Sequence, residues 1–180
     1  EVRIAFNSEA LYLAVTCYDS EPNKWLGYQR RRDEFLQSDD RFMWSIDTFL
    51  NGRSGYFFEM NPSGLMGDSI FGVNGDNRAW DGIWNAHVRR SDTGWTIEIE
   101  LPFRSFNFNP DLDAWGVNFQ RTVRRKNEES LWMGWGLNQG LRIQYTGQLR
   151  GISNVSQGHG LDVRPYAVAS SATSPGCGAR

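Results

Sequence analysis

The segment Trp80-Asp81-Gly82-Ile83-Trp84 places two indoles four residues apart around a glycine turn, just after Asn74, Asp76 and Asn77. Such a group can stack a flat apolar face and set acceptors at its rim, which is how a protein grips the C–H face and the hydroxyls of a sugar ring. The same two rings could instead pin a long loop onto a core through their buried area. The oxygen-rich loops also suit calcium, which takes about six to eight oxygen ligands. Asp39, Asp40, Asp68, Asp76, Asn77 and Asp81 supply such oxygens, and Asp76 and Asp81, close in sequence, are the metal candidates. The alternating Asp/Asn ladder of a calcium loop is absent.

Other chemistries find less support. Glu98 and Glu100 share one face of a strand, at a backbone separation of about 7 Å, inside the roughly 5–9.5 Å range of glycosidase carboxylate pairs. They alternate with Ile97, Ile99 and Leu101, which is also what a solvated sandwich face shows. A glycoside hydrolase is therefore the weakest of three functional readings. His87 and His159 have no Cys or His at zinc-ligand spacing, and no nucleophile elbow, phosphate loop or dinucleotide fingerprint occurs. Arg30-Arg31-Arg32 and Arg121, Arg124, Arg125, Lys126 form two cationic clusters, each followed by acids: Asp33-Glu34 and Glu128-Glu129. They read as internally compensated ion pairs, or as a docking surface for lipopolysaccharide phosphates or an acidic barrel rim. Lys plus Arg number 19 against 21 Asp plus Glu, a net charge of -2, without the cationic surplus of a nucleic-acid partner.

The 180 residues suit one domain, and 8 Trp, 6 Tyr, 11 Phe and 19 Gly favour strands joined by turns. Alternation marks a hairpin at Val2–Phe6 and Ala10–Tyr18, with Leu11, Leu13, Val15 and Cys17 on one face. Cys17 reads as a small core hydrophobe. Helical turns are expected only around Trp25 to Leu36. Further strands are expected at Phe42–Phe49, Tyr56–Met60, Leu65–Phe71, Trp84–Arg89, Trp95–Leu101, Trp115–Val123, Leu131–Trp135 and Gln148–Ile152, with a loop over Gly72–Gly82. Asn61-Pro62-Ser63-Gly64 and Ser91-Asp92-Thr93-Gly94 are turns. The spacing predicts an all-β sandwich of about ten strands over residues 1–156, then a linker and a further strand over 157–180. The late segment Leu161–Ala169 has the length and alternation of a membrane-barrel strand. Glu1 is not a start Met and no signal segment follows it, so the chain is expected to be part of a longer protein.

Five blocks, VRIAFNSEALYLAV, SDDRFMWSIDTF, GYFFEMNPSG, WDGIWNAHVRRSDTGWTIEIELPF and WGVNFQRTVRRKNEES, occur in an order that resembles a group of bacterial outer-membrane proteins. In that group a domain similar to the family-nine carbohydrate-binding module precedes a large β-barrel. The resemblance spans about Glu1 to Tyr166. It implies a jelly-roll-type sandwich lacking its usual first strand, with LDVRPYA as the join into the first barrel strand. It also implies a bacterial cell-envelope location, on the periplasmic face of the outer membrane or outside it, with the barrel providing the membrane contact.

Family-nine modules hold a sugar ring between two Trp side chains and carry a structural calcium. Here the corresponding positions are near Gln37 and within 138–145, and neither holds a Trp. Asn61 matches a ligand-contacting Asn of the family. The expected ligand contacts are thus Asn61, Trp80 and Trp84, with Trp132 and Trp135 (or Trp25) as substitutes from other loops. The resemblance implies a non-catalytic glycan-binding module serving its own C-terminal barrel. The alternative is a structural or gating partner of that barrel that binds no sugar.

Overall fold

The computed structural model describes residues 1–73, 75–134 and 140–158. Asn74, Trp135, His159, the Leu161–Ala169 segment and Cys177 lie outside the described residues. The described strands are β1 (Val2–Phe6), β2 (Ala10–Tyr18), β3 (Arg41–Asp47), β4 (Ser54–Met60), β5 (Met66–Gly72), β6 (Gly75–Asn77), β7 (Asn85–Ser91), β8 (Gly94–Pro102), β9 (Ala114–Val123), β10 (Glu128–Leu131) and β11 (Gly147–Arg150). They form two antiparallel sheets: four strands in the order β1-β2-β8-β7, and seven in the order β10-β9-β3-β4-β5-β6, where β11 pairs with the other half of the β9 edge. The expected all-β sandwich is the fold observed.

Alternation and register build the core. β2 pairs with β8 so that Leu11, Leu13, Val15 and Cys17 stand beside Leu101, Ile99, Ile97 and Trp95, and all eight are buried. Burial pushes the Cys17 thiol up to about 11, as fits a small core residue. The larger sheet contributes Phe42, Trp44 and Ile46, then Tyr56, Phe58 and Met60, then Trp115, Val117 and Phe119. Trp44 and Phe58 stack at 5.1 Å between ring centroids. Aromatic pairing of this kind adds to the area term that dominates sandwich stability.

Three expected elements differ. Residues 25–36 form no helix; the only helical turn in that connector is a 3-10 turn at Pro22–Lys24. Its backbone donors go instead to two buried carboxylates: Tyr28 and Gln29 N–H to Asp39, and Leu26 N–H to Asp40. Side chains that offer the backbone such partners compete with a helix. The strand expected at Leu131–Trp135 is displaced: β10 runs Glu128–Leu131 and ends where it was expected to begin, because Asn127 takes a left-handed conformation (φ 51°) and turns the chain back along β9. The loop over Gly72–Gly82 contains β6, paired to the end of β5.

Candidate functional site

The 80–84 loop faces inward. Trp84 is 5% exposed and meets Trp44 and Phe58 edge-on at 5.5 and 5.2 Å. Its indole N–H donates to Asp68 Oδ2 at 2.8 Å. The Gly82 amide donates to Asp68 Oδ1 at 3.1 Å, and Arg32 Nη2 donates to Asp68 Oδ2 at 2.8 Å and to Asp81 Oδ1 at 3.0 Å. Burial pushes the Asp68 carboxyl above the ordinary aspartate value, while the Trp84, Gly82 and Arg32 donors pull it the other way. Trp80 is partly buried, tilted against Tyr56 at 5.0 Å and edge-on to Phe58 at 6.1 Å. The two rings therefore share one aromatic cluster and pin their loop onto the sandwich.

Asn61 is buried too. Its Nδ2 donates to Asp39 Oδ2 at 2.8 Å, and its Oδ1 accepts the Ser63 and Leu65 amides at 3.0 and 2.9 Å. That pattern closes the Asn61-Pro62-Ser63-Gly64 turn, with Gly64 at φ 83° where a glycine is favoured. Trp132 stands elsewhere: 55% exposed, tilted against Phe119 at 5.6 Å, beside a crevice of about 400 Å³ lined by Val2, Ile4, Val117 and Leu149 at the seam between β1 and β11. Trp135 lies outside the described residues. Trp25 lies under Arg90, whose guanidinium is 4.3 Å from its ring centroid.

The candidate metal ligands do not converge. Asp81 pairs with Arg32 and Asp76 sits exposed on β6. Asp39, Asp40 and Asp68 are engaged by protein N–H donors. Among the described residues no three His, Cys, Asp or Glu side chains gather at metal-holding distance, and this donor set does not fit calcium. Glu98 and Glu100 line an open hollow of about 600 Å³ at the β7 edge with Tyr12, Asn85, His87 and Arg32. There Glu100 accepts from Tyr12 Oη at 3.4 Å and from Asn85 Nδ2 at 3.2 Å.

Within the cationic clusters Arg31, Arg32, Arg121 and Arg125 form ion pairs, though not all with the expected acids. Arg31 and Arg32 reach Glu34 and Asp33. Arg125 pairs with Asp19 at 2.5 and 2.8 Å, a carboxylate far from it in sequence, and this holds the Asp19 carboxyl down to about 2.

The outer side of the larger sheet gathers buried polar groups, some of them without a partner among the described residues. On the outer side of the larger sheet, register aligns Gln120, Met43, Glu59 and Gly67 in one row, and Asn118, Ser45, Phe57 and Ser69 in the next. All the side chains of these rows are buried. Asn118 ties a loop over the β9 end by donating to the Met133 and Tyr145 carbonyls at 2.7 Å, and Ile143 packs over Gly55 of β4. At the opposite end Arg78 lies over Phe57 and under Phe35, at 5.9 and 4.4 Å from the ring centroids. Phe35 is 57% exposed. Five buried polar atoms on this face, Arg41 Nε, Ser45 Oγ, Ser69 Oγ, Arg78 Nε and Thr122 Oγ1, have no hydrogen-bond partner among the described residues.

None of these residues was a sequence candidate. The available signal was the alternation of Phe42, Trp44 and Ile46 with Met43, Ser45 and Asp47, which by itself reads as a wet outer face. Phe35 stands two positions before Gln37, where the family-nine resemblance looked for an aromatic ring.

The two-sheet antiparallel sandwich is the architecture on which the comparison with known proteins turns. No family profile matches this sequence, and no curated protein matches it. Solved structures do. A family 9 carbohydrate-binding module from Caldicellulosiruptor kristjanssonii in complex with cellotriose is similar at a TM-score of 0.59 and 10% identity, over 91% of this chain and 80% of that one. The module from the same source in complex with glucose gives 0.58 and 11%, over 91% and 79%. A proposed carbohydrate-binding protein from Bacteroides uniformis gives 0.66 and 15%, over 83% and 76%. At such identities the likeness is one of fold.

Proposed function

We propose that this chain is a non-catalytic saccharide-binding module and that its site is the outer face of the larger sheet, rimmed by Phe35 and Arg78. The concentration of unpartnered buried polar atoms on that one face carries the reading. Each such atom costs about 1–3 kcal/mol while unsatisfied, and a polyhydroxylated ligand supplies both acceptors and donors. Phe35 offers the exposed ring on which a sugar's C–H face can pack. The fold shared with modules solved with cellotriose and glucose supports the same reading.

The test combines a glycan array with calorimetric titration of the hits. Phe35→Ala, which removes the exposed ring of the rim, should leave the fold intact while lowering saccharide affinity about three- to tenfold. A folded chain that binds no saccharide at millimolar concentration sinks the proposal.

The five-block resemblance supports placing the module in a bacterial envelope, on an outer-membrane barrel; cell fractionation of the full-length protein tests this, and a cytosolic fraction overturns it. Among the described residues no helix is long and apolar enough to cross a membrane, a fact that does not bear on strands. Commitment of Asn61 and Trp84 to the fold favours a second reading, in which the module contacts its barrel and binds no sugar. Failure of the separately expressed barrel to co-purify with this chain would count against that reading.

A further inference from the structure

At Glu59 the outer face of the larger sheet brings two cations to one carboxylate. Glu59 is fully buried and commits both carboxylate oxygens to guanidinium groups: Oε2 to Arg41 Nη1 at 3.0 Å and Oε1 to Arg78 Nη2 at 2.7 Å. Among the described residues, neither arginine has a second carboxylate within ion-pair distance. Two cations thus share one anion, at side chains only 15% and 20% exposed. Charge held in such surroundings is costly until it is paired.

The donors point the same way. Arg78 Nη1 reaches only the Asp33 carbonyl, at 3.3 Å, and Nε of both arginines is unpartnered, as are the Ser45 and Ser69 hydroxyls. The Phe35 and Phe57 rings flank the Arg78 guanidinium, which keeps its orientation fixed and leaves hydrogen bonding to its N–H edge. A planar, negatively charged acceptor matches that edge best. A neutral sugar would bring hydroxyl donors as well as acceptors to a face whose one carboxylate in these rows is already engaged twice.

We infer that the saccharide taken by this face carries a carboxylate, as a uronic acid does, and that Arg41 and Arg78 receive it. This rests on the outer face being the saccharide site.

The 180-residue chain is titrated calorimetrically with glucuronate- and galacturonate-bearing oligosaccharides, with their methyl esters, and with neutral oligosaccharides of the same linkage. The acid and its ester differ in charge while sharing the ring and its hydroxyls. The acid should bind at least about tenfold more tightly than its ester, and the gap should narrow at about 0.5 M salt. Arg78→Gln should cut the affinity for the acid at least about tenfold, with its fold checked by thermal melting. Should that variant not fold, the comparison of acid with ester decides alone.

Equal affinity for acid and ester, or binding of neutral sugars alone, overturns the inference and leaves saccharide binding at the face standing. Silence from all three ligand sets overturns both.

Discussion

Trp84 can be tested as a structural residue by removing one hydrogen bond and little else. Trp84→Phe keeps a ring against Trp44 and Phe58, yet takes away the N–H that reaches Asp68 Oδ2 at 2.8 Å. Asp68 has no exposed side-chain surface, so water cannot replace the lost donor. A hydrogen bond to a charged group contributes about 1.5–3 kcal/mol, and the smaller ring adds a modest packing loss. Together these give about 2–3 kcal/mol, or roughly 5–10 °C in Tm for a domain of this size.

The penalty should also depend on pH, in a definite direction. Burial has raised the folded-state pKa of Asp68, so its contribution to stability is fully present below the unfolded value of 3.8 and is lost as pH rises through the folded one. The indole N–H favours the ionised carboxylate and limits that loss. Removing it costs most where Asp68 is ionised and least where it is protonated. Urea unfolding of both proteins at about pH 7.5 and pH 4 should therefore show the larger difference at the higher pH. Because Trp84 is almost wholly enclosed, saccharide affinity should change less than about twofold. A Tm within about 2 °C of the parent, together with a tenfold loss of affinity, would refute the argument and restore Trp84 as a ligand platform.

Two further outcomes follow from single contacts. Asp19→Asn removes the two-pronged pairing with Arg125, whose effect is to hold the Asp19 carboxyl down to about 2 from 3.8. That stabilisation is present above the unfolded value and lost as pH falls toward 2, so the variant should be about 1–2 kcal/mol weaker at neutral pH and converge with the parent near pH 2, as read by acid titration of circular dichroism. Gly94→Ala, at φ 137°, would drive a methyl into the Cys17 carbonyl oxygen at the β7–β8 turn; about 3 kcal/mol of destabilisation is expected from urea midpoints, and less than about 1 would contradict it.

What the sequence made legible was what alternation encodes locally. Period two alone puts Leu11, Leu13, Val15 and Cys17 on one face of their strand, and Ile97, Ile99 and Leu101 on one face of theirs, and all are core residues. The turns at Asn61–Gly64 and Ser91–Gly94 were legible because Asn, Pro and Gly act on their own backbone. Residues 25–36 read locally as helical turns, but the groups that capture their amides, Asp39 and Asp40, lie 10 to 14 residues away. The same limit hid the role of Trp84, whose partner Asp68 is 16 residues distant, and the Asp19–Arg125 pair, 106 residues apart. Pattern reading sees neighbours along the chain, whereas these contacts are set by strand order.

The outer face of the larger sheet shows where alternation held further information. In β7 and β8 the residues between the inward ones are His87, Arg89, Glu98 and Glu100, long or charged side chains that water solvates well. In β3 and β9 they are Met43, Ser45, Asp47, Asn118, Gln120 and Thr122, mostly short hydroxyl and amide groups, and these are buried. A free surface gains solubility from charge, and Ser, Asn, Gln and Thr give little of it. Their use across two adjacent strands fits a covered face that is to be hydrogen-bonded rather than hydrated. Polar alternation drawn from small neutral residues therefore marks a sheet with two interior faces, one apolar and one polar, and the polar one is where a ligand made of hydroxyls and carboxylates would find its partners.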